Sequence, residues 1–233
     1  LNDAEAQKRS AAERAVDHVE SGMHLGLGTG STARHVLDVL AERLREGELR
    51  RIAGVPTSRA TEQYARRAGI PLSSLDEHPR LDLTIDGADE IDPNVDLIKG
   101  LGGALLWEKI VASASDQVII VADASKRVER LGERAPLPVE VVPFGWRTHL
   151  AFFDDFDARP VLRRAADGAP FVTDGGHYIL DCGFDGGIPD PYELQMALRD
   201  RPGIVESGLF LEIASLAVIA TAEGVITMAR DES

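Results

Sequence analysis

The chain is expected to fold as a mostly parallel α/β sheet with helices on both faces, Rossmann-like, plus a smaller inserted α+β domain. Three observations predict this. Apolar, strand-like runs alternate with segments of helical periodicity up to Leu131, the pattern of a parallel sheet with crossover helices. Three of those runs each end in a short polar loop: Gly26-Leu-Gly-Thr-Gly-Ser-Thr32, Asp86-Gly-Ala-Asp-Glu90 and Lys99-Gly-Leu-Gly-Gly103. Loops at the carboxyl ends of strands are where open α/β sheets bind ligands. Beyond Leu131 the texture changes, with Pro136, Pro138 and Pro143 punctuating Val139-Glu-Val-Val142.

Taken in order, Asp3 to Val19 reads as a helix, with Ala12, Ala15, Val16 and Val19 at helical spacing and Gly22 as its stop. Met23 to Leu27 is a short strand. Ser31 to Arg45 is a helix carrying Val36, Leu37, Leu40 and Leu44 on one stripe, closed by Gly47. Ile52 to Val55 is a buried strand, and Pro56-Thr-Ser58 turns into a helix ending near Ala68. Strands at Leu81 to Ile85 and Val95 to Ile98 precede the acidic and lysine loops, and Ala104 to Ala114 is a helix. Val118 to Ala122 is an apolar strand ending in Asp123-Ala-Ser-Lys126. In the later block, a helix (Trp146 to Phe153), a strand (Val161 to Arg164), a strand pair around Phe171 and Tyr178, and a helix (Pro191 to Arg199) are expected. Val205 to Phe210 and Gly224 to Met228 read as strands returning to the first domain. The expected domains are 1–131 with 206–233, and 132–205.

Composition narrows the function. A net charge of −14 argues against a nucleic-acid partner, whose phosphates need basic patches. No run approaches the ~20 apolar residues of a membrane helix, and Leu1 to Ser10 has no signal-peptide core. The one cysteine, Cys182, forbids an intramolecular disulfide and points to a reducing compartment. A cytoplasmic protein is expected.

The glycine loop formally fits the dinucleotide fingerprint through Gly28, Gly30 and Ala33. That fingerprint also wants an acid after the next strand, where Val55-Pro-Thr-Ser58 has none. A Walker loop lacks its Gly-Lys-Ser/Thr. What remains is a tight turn with Ser31 and Thr32 at a helix start, where backbone amides and the helix dipole favour a phosphate; the plain alternative is an N-cap. The acids Asp86, Asp89, Glu90 and Asp92 fit a metal site, sugar-hydroxyl recognition with acid–base work, or a solvated turn. No His or Cys partner stands nearby, which disfavours metal. Lys99 precedes three glycines that permit close backbone approach to a ligand. Glu108, in the following helix, points between Ala104 and Ala112, where small neighbours leave room beside the carboxylate.

Read together in order, these motifs resemble type A ribose-5-phosphate isomerase, with Ala122 to Lys126, Pro136 to Glu140, Phe171 to Asp174 and Pro202 to Phe210 completing a match over nearly the whole chain. The resemblance implies a cofactor-free aldose–ketose isomerase joining ribose 5-phosphate to ribulose 5-phosphate in the pentose phosphate pathway, and with no metal-ligand spacing in the chain no metal is expected. It implies Glu108 as the catalytic base, with Asp86, Asp89 and Lys99 also catalytic. Substrate contacts fall on Thr29, Gly30, Ser31, Thr32, Asp86, Gly87, Ala88, Asp89, Lys99, Gly100, Leu101, Gly102 and Lys126. It also implies a pentose 5-phosphate as the small-molecule partner and a homodimer or dimer of dimers. The chain departs from the commonest pattern at Trp107, His177 and Ser215, none a catalytic position. A rival reading from another class is a non-catalytic sugar-phosphate sensor.

Overall fold

The computed structural model describes residues 3–230 of the chain, with side chains from Glu5 onward. Leu1 and Asn2, read above for signal character, and residues 231–233 of the expected first domain lie outside the described residues. In chain order the elements are α1 (Asp3–Val16), β1 (His24–Leu27), α2 (Ser31–Glu46), β2 (Ala53–Pro56), α3 (Arg59–Ala68), β3 (Leu81–Asp86), β4 (Glu90–Ile91), β5 (Leu97–Ile98), α4 (Leu105–Ser113), β6 (Ser115–Asp123), β7 (Leu137–Val141), β8 (Ala158–Leu162), β9 (Tyr178–Phe184), α5 (Pro191–Arg199), β10 (Ile204–Ser207), β11 (Leu209–Phe210), β12 (Leu216–Thr221) and β13 (Gly224–Ala229). Short 3-10 segments occupy Ala124–Lys126 and Trp146–Phe156.

The chain divides into two compact units. One comprises Leu1–Ala88, Trp107–Lys126 and Glu212–Ser233; the other comprises Asp89–Leu106 and Arg127–Leu211. This differs from the boundaries expected above, because β5 pairs with β11 and β4 with β5 in a small sheet of their own, within the second unit.

The first unit is built on a six-stranded sheet in the order β13-β12-β6-β3-β1-β2. Four of its five pairings are parallel, as expected, and the fifth is at the edge, where β13 runs antiparallel to β12. The long apolar run of β6 fits a strand covered on both faces. On one face Ala12, Ala15 and Val16 of α1 and Val36, Leu37 and Leu40 of α2 bury against Leu25, Leu27, Leu83, Ile85, Ile119 and Val121. Each large side chain so buried contributes about 1.5–3 kcal/mol. A smaller cluster joins Val111 of α4 to Val55 and Leu81. Gly47 stops α2 in the left-handed conformation at φ 77°, and Ser58 caps α3 by accepting the Thr61 amide.

The second unit holds a four-stranded antiparallel sheet, β10-β7-β9-β8. Its core packs Val139, Phe153, Leu180 and Cys182 with Leu194 and Leu198 of α5.

Several expectations need correction. Helix α1 ends at Val16, and Val19 is reached through tighter turn bonds. The run Val205 to Phe210 does not return to the first sheet. It breaks at Gly208, where a Cβ would lie 2.9 Å from the Pro138 ring, so β10 pairs with β7 and β11 with β5. Phe171 lies in no strand, and β9 takes β8 as its partner. The strand that completes the first sheet beside β6 is β12, which the periodicity did not single out. Glu108 stands in the first turn of α4.

Candidate active site

In the first unit the glycine loop leaves β1 and enters α2. Just past β1 the chain can approach β3 closely because a glycine stands there: a Cβ at Gly28 would lie 2.5 Å from the Asp86 Cα. That approach lets the Asp86 carboxylate, 2% exposed, accept the Thr29 amide at 3.0 Å and the Gly87 amide at 2.7 Å through Oδ1. The Thr29 hydroxyl lies 2.8 Å from the Thr57 and Ser58 hydroxyls and 3.0 Å from that of Thr61. Thr61 in turn donates to the Gly28 carbonyl at 3.0 Å. Thr29 is therefore held from both its amide and its side chain, and fixes the loop.

Sequence reasoning missed Thr57, Ser58 and Thr61. The signal was present as a run of hydroxyls opening a helix, but it reads as a cap. Gly30, at φ 109°, is the N-cap of α2, and no side chain caps it among the described residues. The hydroxyls of Ser31 and Thr32 are thus not engaged in capping, which removes the plain alternative raised for them. Ser31 is exposed and Thr32 half-buried. Lys126, half-buried, forms no ion pair among the described residues.

Glu108 belongs to the same unit and is 5% exposed. Its placement follows from α4. Val111, one turn on and on the same helix face, packs where Gly26 leaves room: a Cβ there would lie 2.6 Å from the Val111 Cγ1. Ala88 closes this unit's share of the acidic loop.

Asp89 and Lys99–Gly102 lie in the second unit. The Asp89 Oδ2 accepts the Leu101 amide at 2.9 Å, so the acidic and lysine loops are joined there. Lys99 is 3% exposed; its amide donates to the Gly208 carbonyl at 2.9 Å and its ammonium stands 5.5 Å from the centre of the Phe210 ring. It is not the exposed turn lysine that its residue type suggests. Gly100 sits at φ 105°, a conformation open to glycine.

The acids of the loop are engaged with backbone. Glu90 accepts the amides of Gly132, Arg134 and Ala135 at 2.6–2.7 Å. Asp92 accepts those of Asn94 and Asp96, both at 2.9 Å. Among the described residues no group of three or more His, Cys, Asp or Glu is placed to hold a metal ion.

Known proteins share this arrangement of elements. Residues 53–224 match the family model described as Ribose 5-phosphate isomerase A (phosphoriboisomerase A). A ribose-5-phosphate isomerase A of Roseiflexus castenholzii is 58% identical over 221 residues, 95% of this chain and 94% of the relative. A solved D-ribose-5-phosphate isomerase in complex with phospho-erythronic acid superposes with a TM-score of 0.94 at 39% identity, covering 97% of this chain and 99% of the other. The ribose 5-phosphate isomerase of Plasmodium falciparum does so with a TM-score of 0.94 at 38% identity, over 98% of this chain and 100% of the other.

Proposed function

The chain belongs to the ribose 5-phosphate isomerase A family, and from that premise we propose how its own residues interconvert D-ribose 5-phosphate and D-ribulose 5-phosphate. Glu108 is the base. It takes the proton from C2 of the open-chain aldose. The C–H electron pair then forms the C1–C2 double bond, and the C1 carbonyl oxygen becomes the negative oxygen of a cis-enediolate. Glu108 returns the proton to C1 as the C2 carbonyl forms, while one proton passes between the two oxygens. Lys99 neutralises the charge that develops on those oxygens, a contribution often worth several kcal/mol.

The two aspartates divide the remaining work. Asp86 holds the glycine loop through Thr29. Asp89 gives Oδ2 to the Leu101 amide, and its Oδ1 exchanges hydroxyl protons and assists ring opening. Ser31, Thr32, the Gly30 turn and Lys126 grip the phosphate, which anchors the substrate away from the reacting carbons. The reaction needs no cofactor in this scheme. The sensor reading is not favoured by the family.

The observation that carries the scheme is the buried Glu108 carboxylate on the helix face that packs against the glycine-bearing strand β1. Glu108→Gln should keep the fold and the affinity for phospho-erythronic acid, and cut turnover by at least ~100-fold, the scale of a positioned base. Near wild-type conversion of ribose 5-phosphate by that variant would sink the assignment.

A place in the pentose phosphate pathway follows from the family's reaction. We also propose a homodimer or dimer of dimers, supported by exposed Phe144, Val161 and Val172 in the second unit; light scattering reads the assembly. A cytoplasmic setting is supported by the buried free thiol of Cys182.

A further inference from the structure

Within the second unit, Arg163 is the side chain that organises the lysine loop. It follows β8, with its amide on the Ile179 carbonyl at 2.9 Å and its own carbonyl accepting the Phe171 amide at 2.9 Å. Its side chain is 12% exposed. The Nε donates to Asp181 Oδ2 at 2.9 Å and Nη2 to Asp181 Oδ1, a bidentate pairing that fixes the plane of the group. The remaining nitrogen, Nη1, donates to two carbonyls at once, Gly100 O and Leu101 O, each at 3.0 Å. The guanidinium also lies 5.7 Å from the Phe171 ring centre. That ring packs on the same loop: a Cβ at Gly103 would lie 2.6 Å from it.

These bonds hold consecutive peptide groups. The Gly100–Leu101 peptide is gripped at both ends, its carbonyl by Arg163 and its amide by Asp89 at 2.9 Å. Among the described residues, the Leu101–Gly102 peptide is gripped at its carbonyl only. In a trans peptide the N–H points opposite to the C=O. The Gly102 amide is therefore aimed away from Arg163, and a Cβ at Gly102 would meet nothing within 4 Å. A cation on the carbonyl also polarises the amide and strengthens its N–H as a donor.

From this geometry we infer that Arg163 is a positioning residue for the isomerisation, aiming and polarising the Gly102 amide as a donor to the developing enediolate oxygen. The inference rests on the proposed role of the Lys99–Gly102 loop. Lysine cannot replace the guanidinium here, because a single ammonium cannot bind Asp181 in a fork and reach both carbonyls in one plane.

The test compares Arg163→Gln, Arg163→Lys and Lys99→Ala, with the Arg163→Gln/Lys99→Ala double variant. It measures kcat and KM with ribose 5-phosphate, and the affinity for phospho-erythronic acid, whose carboxylate imitates the enediolate oxygens. Arg163→Gln should lower kcat by about 100-fold, the cost of a donor misplaced by about 1 Å. KM should move by less than about threefold, and affinity for the acid should fall with kcat. Arg163→Lys should recover little of the loss. The double variant should be far less impaired than the product of the two single losses, because both act on one loop.

A folded Arg163→Gln with wild-type kcat, or with a raised KM alone, would overturn the inference. So would full additivity with Lys99→Ala. If Lys99→Ala itself turned over normally, the loop's proposed role would have failed instead, and the two failures are distinguishable. Should Arg163→Gln not fold, Asp181→Asn loosens the same guanidinium by removing one charge. A fall of about tenfold in its kcat supports the inference, and wild-type kcat overturns it.

Discussion

At the scale of single residues, charge is placed where it does the most. Lys99 is buried beside Phe210. If it stabilises the enediolate, Lys99→Ala should lower kcat more than it raises KM, because its charge matters most as negative charge builds on the oxygens. Unchanged kcat with a raised KM would leave it as a simple binding group. His149 gives a second residue-scale expectation. It is 2% exposed, and its Nδ1 lies 3.0 Å from the Arg201 Nε–H. Nδ1 must accept there, so burial, and then the Arg201 charge, hold its pKa below the ordinary imidazole value. The unfolded chain binds a proton at His149 more readily than the folded chain. The stability it contributes is full above the ordinary pKa of about 6.5 and is lost as pH falls below it towards the depressed folded value. His149→Gln should therefore show a shallower fall in melting temperature between about pH 7 and pH 5 than the wild type. Parallel curves for the two proteins would remove His149 as a source of acid sensitivity.

At the scale of elements, the closest constraint is the approach of β1 to β3. Gly28→Ala would drive a methyl group to 2.5 Å from backbone at Asp86, which no rotamer can relieve. It should cost about 1–3 kcal/mol or more in urea unfolding and depress kcat/KM by loosening Thr29. Gly30→Ala meets nothing within 4 Å but stands at φ 109°, so its cost is backbone strain alone, about 1–3 kcal/mol. Equal costs through different routes should separate in activity, with Gly28→Ala the more damaging. The same elements show what the sequence could and could not reveal. Helices α2 and α5 were legible because a stripe, a stop glycine or an Asp-Pro start marks them. The glycine and acidic loops were legible because each follows a buried strand. Strand β12 was not, since Leu216 to Thr221 is a short apolar run with two alanines, and periodicity alone cannot type such a run. The β10–β11 break was hidden because one glycine between Ser207 and Leu209 reads as part of a continuous strand. The hydroxyls of Thr57, Ser58 and Thr61 were hidden because their partner, Thr29, is distant in sequence. Arg163 was hidden for the same reason, since nothing local marks a side chain whose targets are carbonyls of another loop.

At the scale of the whole molecule, the net charge of −14 opposes a substrate that is itself a dianion. Long-range repulsion slows encounter, while the local cations act only at short range. Added salt screens the repulsion over a Debye length of about 10 Å at 0.1 M. The value of kcat/KM should therefore rise, by about twofold, between low salt and about 0.2 M sodium chloride. A steep fall instead would mean that a local positive field governs encounter. No helix among the described residues is long and apolar enough to cross a membrane, and the charge resides on a surface open to such screening.

The bond from the Thr29 amide to Asp86, backed by three hydroxyls on the Thr29 side chain, has a thermodynamic consequence for ligand capture. A glycine-rich loop left to itself samples many conformations, and freezing each residue costs about 1–2 kcal/mol in entropy. Here the buried carboxylate and the hydroxyl cluster meet that cost when the chain folds, before any sugar arrives. If the loop takes the phosphate as proposed, the phosphate meets a loop already ordered, and more of its contact energy remains to hold the substrate in register for proton transfer.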